Sequence, residues 1–251
     1  MKKTKGMMGG IIVLAVLAAG FIAVHQYQKQ KARYDLASRV ADLGGRGGPP
    51  PTIEGLTRAI ELYEDQIEAY VRDAAQTGVY WKILATRLQD KALHHKALEA
   101  LERAVYYTPE DQNLQYRTGV SAAAVAKGYI DFSGNNNPGE GNRFYTMAET
   151  AYLKSIALDS TYSRPHYGLG VLYVFELNRP EDAIPHLERY QELTTNNVDG
   201  MFVLAAAYYM TGRYEPALKA YDKILSITKD TAKRAEAERN RQTVMDAFYG
   251  Y

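Results

Sequence analysis

Two kinds of apolar pattern divide the chain. Residues 7–24, MMGGIIVLAVLAAGFIAV, are an uncharged apolar run of 18 positions preceded by Lys2, Lys3 and Lys5. Beyond residue 78 the apolar positions are spaced at helical intervals and also return at a longer period. In residues 78–111, Trp81, Leu84, Ala85, Leu88, Ala97, Leu101, Ala104 and Pro109 occupy positions 4, 7, 8, 11, 20, 24, 27 and 32 of a 34-residue unit. In residues 198–231, Leu204, Ala205, Tyr208, Gly212, Ala217, Tyr221 and Ile224 fall at positions 7, 8, 11, 15, 20, 24 and 27 of the same unit. A period of this length predicts stacked helix-turn-helix units whose apolar faces are buried only by their neighbours.

Two further units are in phase. Residues 163–197 supply Leu169, Gly170 and Tyr173, then Ala183, Leu187 and Tyr190 after one extra residue expected in the turn. Residues 112–162 supply Gly119 and then Ala148, Tyr152 and Ser155, with about 17 extra residues between them, near 130–145, that include the hydrophilic SGNNNPGEGN. Small residues at positions 8 and 20 let the two helices of a unit approach, and larger ones at 4, 7, 11 and 24 fill the seams. In this register and these residue classes the sequence resembles the tetratricopeptide repeat (TPR) family. The resemblance implies an all-α TPR solenoid of about four units: 78–111, 112–162, 163–197 and 198–231. A capping helix at 52–77, opened by Thr52 or Pro51, and a polar-faced closing helix at 232–251 would flank it.

The family lines its concave face with positions 2, 5, 9, 12 and 13 of each first helix. Carried onto this sequence, that gives a protein-binding groove of Lys82, Gln89, Tyr116, Arg164, Tyr167, Val171, Phe175, Phe202 and Tyr209, polar at one end and aromatic at the other. The carboxylate clamp of chaperone-tail receptors is matched only at Lys82 and Arg164; Thr86 stands where that clamp needs asparagine. Adjacent helical residues point about 100° apart, so the pair Tyr208-Tyr209 divides: Tyr208, at position 11, is expected to be buried between units, and Tyr209, at position 12, to face the groove.

Composition narrows the chemistry. The chain has no cysteine, hence no disulfide, thiolate metal site or cysteine nucleophile. No phosphate-binding loop, HExxH or nucleophile motif occurs, and the insertion fails as a calcium loop because Asn136 and Asn142 stand where glycine and glutamate are required. His94 and His95 read as a solvated turn. No enzyme activity, catalytic residue, metal or cofactor is expected. The formal charge is +1, but residues 1–46 carry a net of +6 and the remainder −5, so the basic charge flanks the apolar run instead of forming a face on the repeats. That distribution suits lipid headgroups and not nucleic acid.

Residues 1–6 then read as a basic head, 7–24 as a transmembrane signal-anchor, and 25–51 as a basic and then Gly/Pro-rich linker ending in LGGRGGPPP. The run is at the short end for a span, and Ala18-Ala19-Gly20 would serve as a cleavage site; Phe21, Ile22 and Val24 continue it and favour retention. The expectation is a single-pass protein of a bacterial inner membrane with its repeats in the periplasm. It would be an adaptor or scaffold for a protein or peptide partner in envelope, secretion or flagellar assembly. The alternative is a structural subunit that self-assembles, a homo-oligomer or part of a larger membrane-associated complex.

Overall fold

The computed structural model describes residues 52–133 and 138–250, with eight positions between Tyr27 and Val40, all helical. The apolar run 7–24, most of the linker and the centre of the insertion lie outside the described residues. No helix among the described residues is long and apolar enough to cross a membrane. The chain falls into two compact units, Met1–Asp73 and Ala74–Tyr251.

The described elements are α1 (Ile53–Asp90), α2 (His94–Tyr107), α3 (Gln112–Ser133), α4 (Pro138–Leu158), α5 (Ser163–Val171), α6 (Pro180–Leu193), α7 (Val198–Met210), α8 (Tyr214–Ile227) and α9 (Thr231–Tyr249); α5 runs into a π-helical turn at Leu172–Glu176. From α2 onward each helix packs chiefly on its sequence neighbours, the arrangement of an all-helical TPR-like solenoid. Its small positions are closed to solvent: Ala85, Ala97, Ala148, Ala183, Ala205 and Ala217 are all fully buried.

Three differences from the sequence expectation have physical causes. First, a capping helix ending at residue 77 and a repeat helix beginning at 78 are one 38-residue helix, α1. No proline interrupts the sequence there and Thr77 stays within the helix instead of capping a new one; a Cβ on Gly78 would lie 2.8 Å from that of Tyr107. Thr52 does open this helix, its Oγ1 accepting from the Gly55 N–H at 3.0 Å. Second, the insertion is spent mainly on length: α3 and α4 have 22 and 21 residues against 14 in α2, α6 and α8. Pro138 sits at the start of α4, where its missing N–H costs nothing.

Third, the extra residue of the third unit is not in its turn. It is taken up by the π-helical turn, which inserts one residue into a helix without ending it. The turns therefore stay equivalent: Ala92, Asn178 and Gly212 are the corresponding residues of three units, and all are left-handed, with φ of 55°, 50° and 71°. Only Gly212 adopts that conformation without steric cost.

Candidate functional site

The main core joins α3 through α7 around Tyr145, Tyr152, Leu169, Tyr173, Leu187 and Leu204. Tyr152, at position 24 of its unit, is wedged between two helices that carry glycine where it touches them. A Cβ on Gly119 would be 2.4 Å from the Tyr152 ring and one on Gly168 2.7 Å from it. Over this core, Tyr116, Val120, Tyr167 and Val171 are only partly buried. They form the floor of a trough of about 300 Å³ walled by Lys127, Arg164 and Glu176. A second hollow of about 290 Å³ continues it, lined by Gln89, Asp90, His94 and Arg117 and sharing Tyr116, Val120 and Arg164.

Five of the nine residues singled out by sequence meet in this double trough: Gln89, Tyr116, Arg164, Tyr167 and Val171. Gln89 is already engaged, receiving a hydrogen bond from Arg117 Nη1 at 2.6 Å and donating to Ser121 Oγ at 2.8 Å. Tyr116 packs edge-on to Tyr162 at 5.6 Å and tilted on Tyr152 at 6.0 Å. Burial, with Tyr162 beside it, raises its hydroxyl pKa; burial and then the Asp199 carboxylate do the same for Tyr167. Both phenols are held neutral as hydrogen-bonding groups. Arg164 is exposed and forms no ion pair among the described residues, whereas Lys127 lies 3.9 Å from Glu176 and Arg117 donates to Asn113 and Gln89.

The other four residues are placed differently. Lys82 turns to Asp111 at 2.5 Å. Burial alone would raise the Asp111 carboxyl, but the Lys82 contact and the Leu114 and Asn113 N–H groups hold it below its ordinary value. Phe175 is 59% exposed within the π-helical turn and lines neither hollow; the inserted residue rotates the helix past Val171, so Glu176 takes the wall instead. Phe202 is half-buried against a separate core, its ring 6.2 Å from that of Tyr221. Tyr209 is at the surface, its ring tilted against that of Tyr214 at 6.1 Å, and Tyr214 is tilted in turn against Phe248 of α9 at 5.7 Å. Tyr208 is half-buried where fuller burial is expected: its ring meets both cores and its hydroxyl donates to Glu188 at 2.6 Å.

One cleft has no counterpart in the sequence expectation. His94 and His95 do not stand free in a turn. With Ala92, Ala124, Val125, Gly128 and Tyr129 they line an apolar hollow of about 450 Å³, and His95 meets the rings of Tyr129 and Phe144 edge-on, each at 5.6 Å. Only the lengthening of α3 and α4 brings those two rings there, so the signal lay in the insertion and not in the histidines. Among the described residues no group of three or more metal-binding side chains gathers.

Residues 174–238 match a family model described as tetratricopeptide repeat. The chain has the TPR solenoid fold. Anaphase-promoting complex subunit 3 of Schizosaccharomyces pombe is 23% identical over 231 residues, 88% of this chain; the match spans 30% of that protein's length. Among solved structures, the MamA protein is similar with a TM-score of 0.52 and 20% identity, over 69% of this chain and 89% of its own. YrrB, described as a TPR protein with an unusual peptide-binding site, gives a TM-score of 0.54 and 19% identity, over 68% of this chain and 76% of its own.

Proposed function

We propose that this protein is a membrane-anchored adaptor that holds a peptide segment of a protein partner in the double trough between its first three TPR units. The observation that carries this reading is the junction of exposed Arg164, which has no ion pair among the described residues, with the half-buried phenols of Tyr116 and Tyr167. Aromatic rings supply large contact area at small entropic cost, and a free guanidinium pairs a carboxylate through two parallel hydrogen bonds. The segment suited to this site is apolar with an acidic side chain or a terminal carboxylate beside Arg164. The peptide-binding site of YrrB, on the same fold, agrees with such a use. Binding and not catalysis is the proposed role.

The anchor is proposed from sequence: an uncharged 18-residue run flanked by lysines and arginines, then a Gly/Pro-rich spacer. The repeats would then be displayed in the periplasm of a bacterial inner membrane, in envelope, secretion or flagellar assembly. A photo-crosslinking residue at position 167, in the native cell, should capture a discrete partner, and Arg164→Glu should abolish the capture. Capture that is unchanged by Arg164→Glu, or equal from Lys219 on the outer helix α8, would remove the trough from consideration.

A further inference from the structure

The first half of α1 carries an apolar stripe that the repeats do not use. Ile53, Leu56, Ile60, Tyr63, Ile67 and Tyr70 recur at alternating spacings of three and four and are all exposed, at 81, 44, 56, 47, 59 and 42%. That alternation is the 3.5-residue period of a coiled-coil seam, with isoleucine at every first position and leucine or tyrosine at every second. The same register continues into Trp81 and Leu88, which pack on the buried cluster of Ala85, Leu101, Ala104 and Leu114. The first positions of the stripe are thus covered at the far end of the helix, where Leu84 between them stays 43% exposed, and bare at the near end.

We infer that residues 53–71 pair with the same segment of a second copy of this chain as a parallel, in-register two-stranded coiled coil. Three observations select this occupant. In a parallel pair, isoleucine at the first seam position favours two strands over three or four, and in register the isoleucines meet as Ile53, Ile60 and Ile67 pairs. Of the flanking positions, Gln66 faces Val71 across such a pair and Glu64 faces the side of Ala59, which is already buried within its own chain, so no like charges meet. The exposed stripe amounts to on the order of 700 Å² per chain, and twice that lies in the range of a stable interface. A bilayer surface is disfavoured: Glu54, Glu61, Glu64, Asp65 and Glu68 outnumber Arg58 and Arg72, the reverse of a lipid-binding helix.

The absence of native cysteine makes the test direct. Single substitutions Ile53→Cys, Ile60→Cys, Ile67→Cys and, on the opposite face, Asp65→Cys are made in the full chain and oxidised in mild detergent. Each of the three seam variants should give about tenfold more disulfide-linked pair than Asp65→Cys, because only facing seam positions bring Cβ atoms near disulfide range. The double variant Ile60→Glu/Ile67→Glu should halve the mass measured by light scattering while keeping its helical circular dichroism and melting temperature. Cross-linking equal at all four positions, cross-linking at one seam position alone as an antiparallel pair would give, or a wild-type chain that scatters as a monomer would each overturn the inference.

Discussion

The third and fourth TPR units carry half-buried aromatic residues at matching positions and set them in different surroundings. In the third, Tyr167 stays half-open on the trough floor beside Arg164. In the fourth, Phe202 is packed on Tyr221, and Tyr209 begins a chain of rings through Tyr214 to Phe248. The difference lies in the element packed against each unit. Helix α9 closes the fourth and supplies Ala237 and Val244 to its core, while between the second and third units Tyr152 fills the space at Gly119 and Gly168 and leaves Tyr116 and Tyr167 only partly buried. A position in the repeat thus assigns a direction, and the neighbouring element decides whether that direction ends in a core or in an opening.

The largest expected effect tests the closed side. Tyr221 is 4% exposed, and Tyr221→Ala should cost about 3 to 5 kcal/mol in denaturant unfolding, against about 1 kcal/mol for Tyr167→Ala. Near-equal losses would mean that the trough floor is core. Tyr208 sits between the two regimes, and Tyr208→Ala should cost about 2 kcal/mol, less than full burial would imply.

The turns give a second contrast. Gly212 and Ala92 are both left-handed at equivalent positions, so Gly212→Ala should cost about 1 kcal/mol, bringing that turn to the strain Ala92 already carries. A melting temperature unchanged by Gly212→Ala would show that the turn relaxes.

A pH dependence separates the units further. In the third, His166 and His186 face each other through their Nδ1 atoms at 3.3 Å. Burial lowers the pKa of both; Arg189 pushes His166 further down, His166 does the same to His186, and the Ser160 backbone and Asp182 act the other way. A histidine whose folded pKa lies below its unfolded one binds fewer protons when folded, so stability is full above pH 6.5 and is lost as pH falls through the folded values. The melting temperature should therefore drop between pH 7 and 5, and His186→Gln should flatten that slope. A steeper slope in His186→Gln would show that the pair is not its source.

The repeat register was legible because close approach leaves so little choice: Ala or Gly at positions 8 and 20 could be read from the chain and is closed off in the structure. The trough was half legible. Gln89, Tyr116, Arg164, Tyr167 and Val171 follow from register, whereas Phe175, assigned by the same register, lines neither hollow. A one-residue insertion has the same length in a turn as in a π-helical turn, and only the latter rotates the side chains beyond it. The His95, Tyr129 and Phe144 cluster was illegible for a related cause: a polar, glycine-rich insertion reads as loop, although its flanks extend two helices.

The smallest expected effect on stability is the one that bears most on function. Arg164 is exposed and unpaired among the described residues, so Arg164→Ala should change unfolding free energy by no more than about 0.5 kcal/mol. A charge kept beside two neutral phenols without a partner of its own adds little to the fold. If that residue contributes through a bound carboxylate, its removal should weaken capture from position 167 at low salt and at physiological salt alike, because a pair formed against the aromatic floor is poorly screened. A surface charge acting only by long-range attraction would instead lose its effect as salt rises. Capture that is as strong for Arg164→Ala as for the wild type at physiological salt would place the carboxylate elsewhere and leave the trough an apolar site alone.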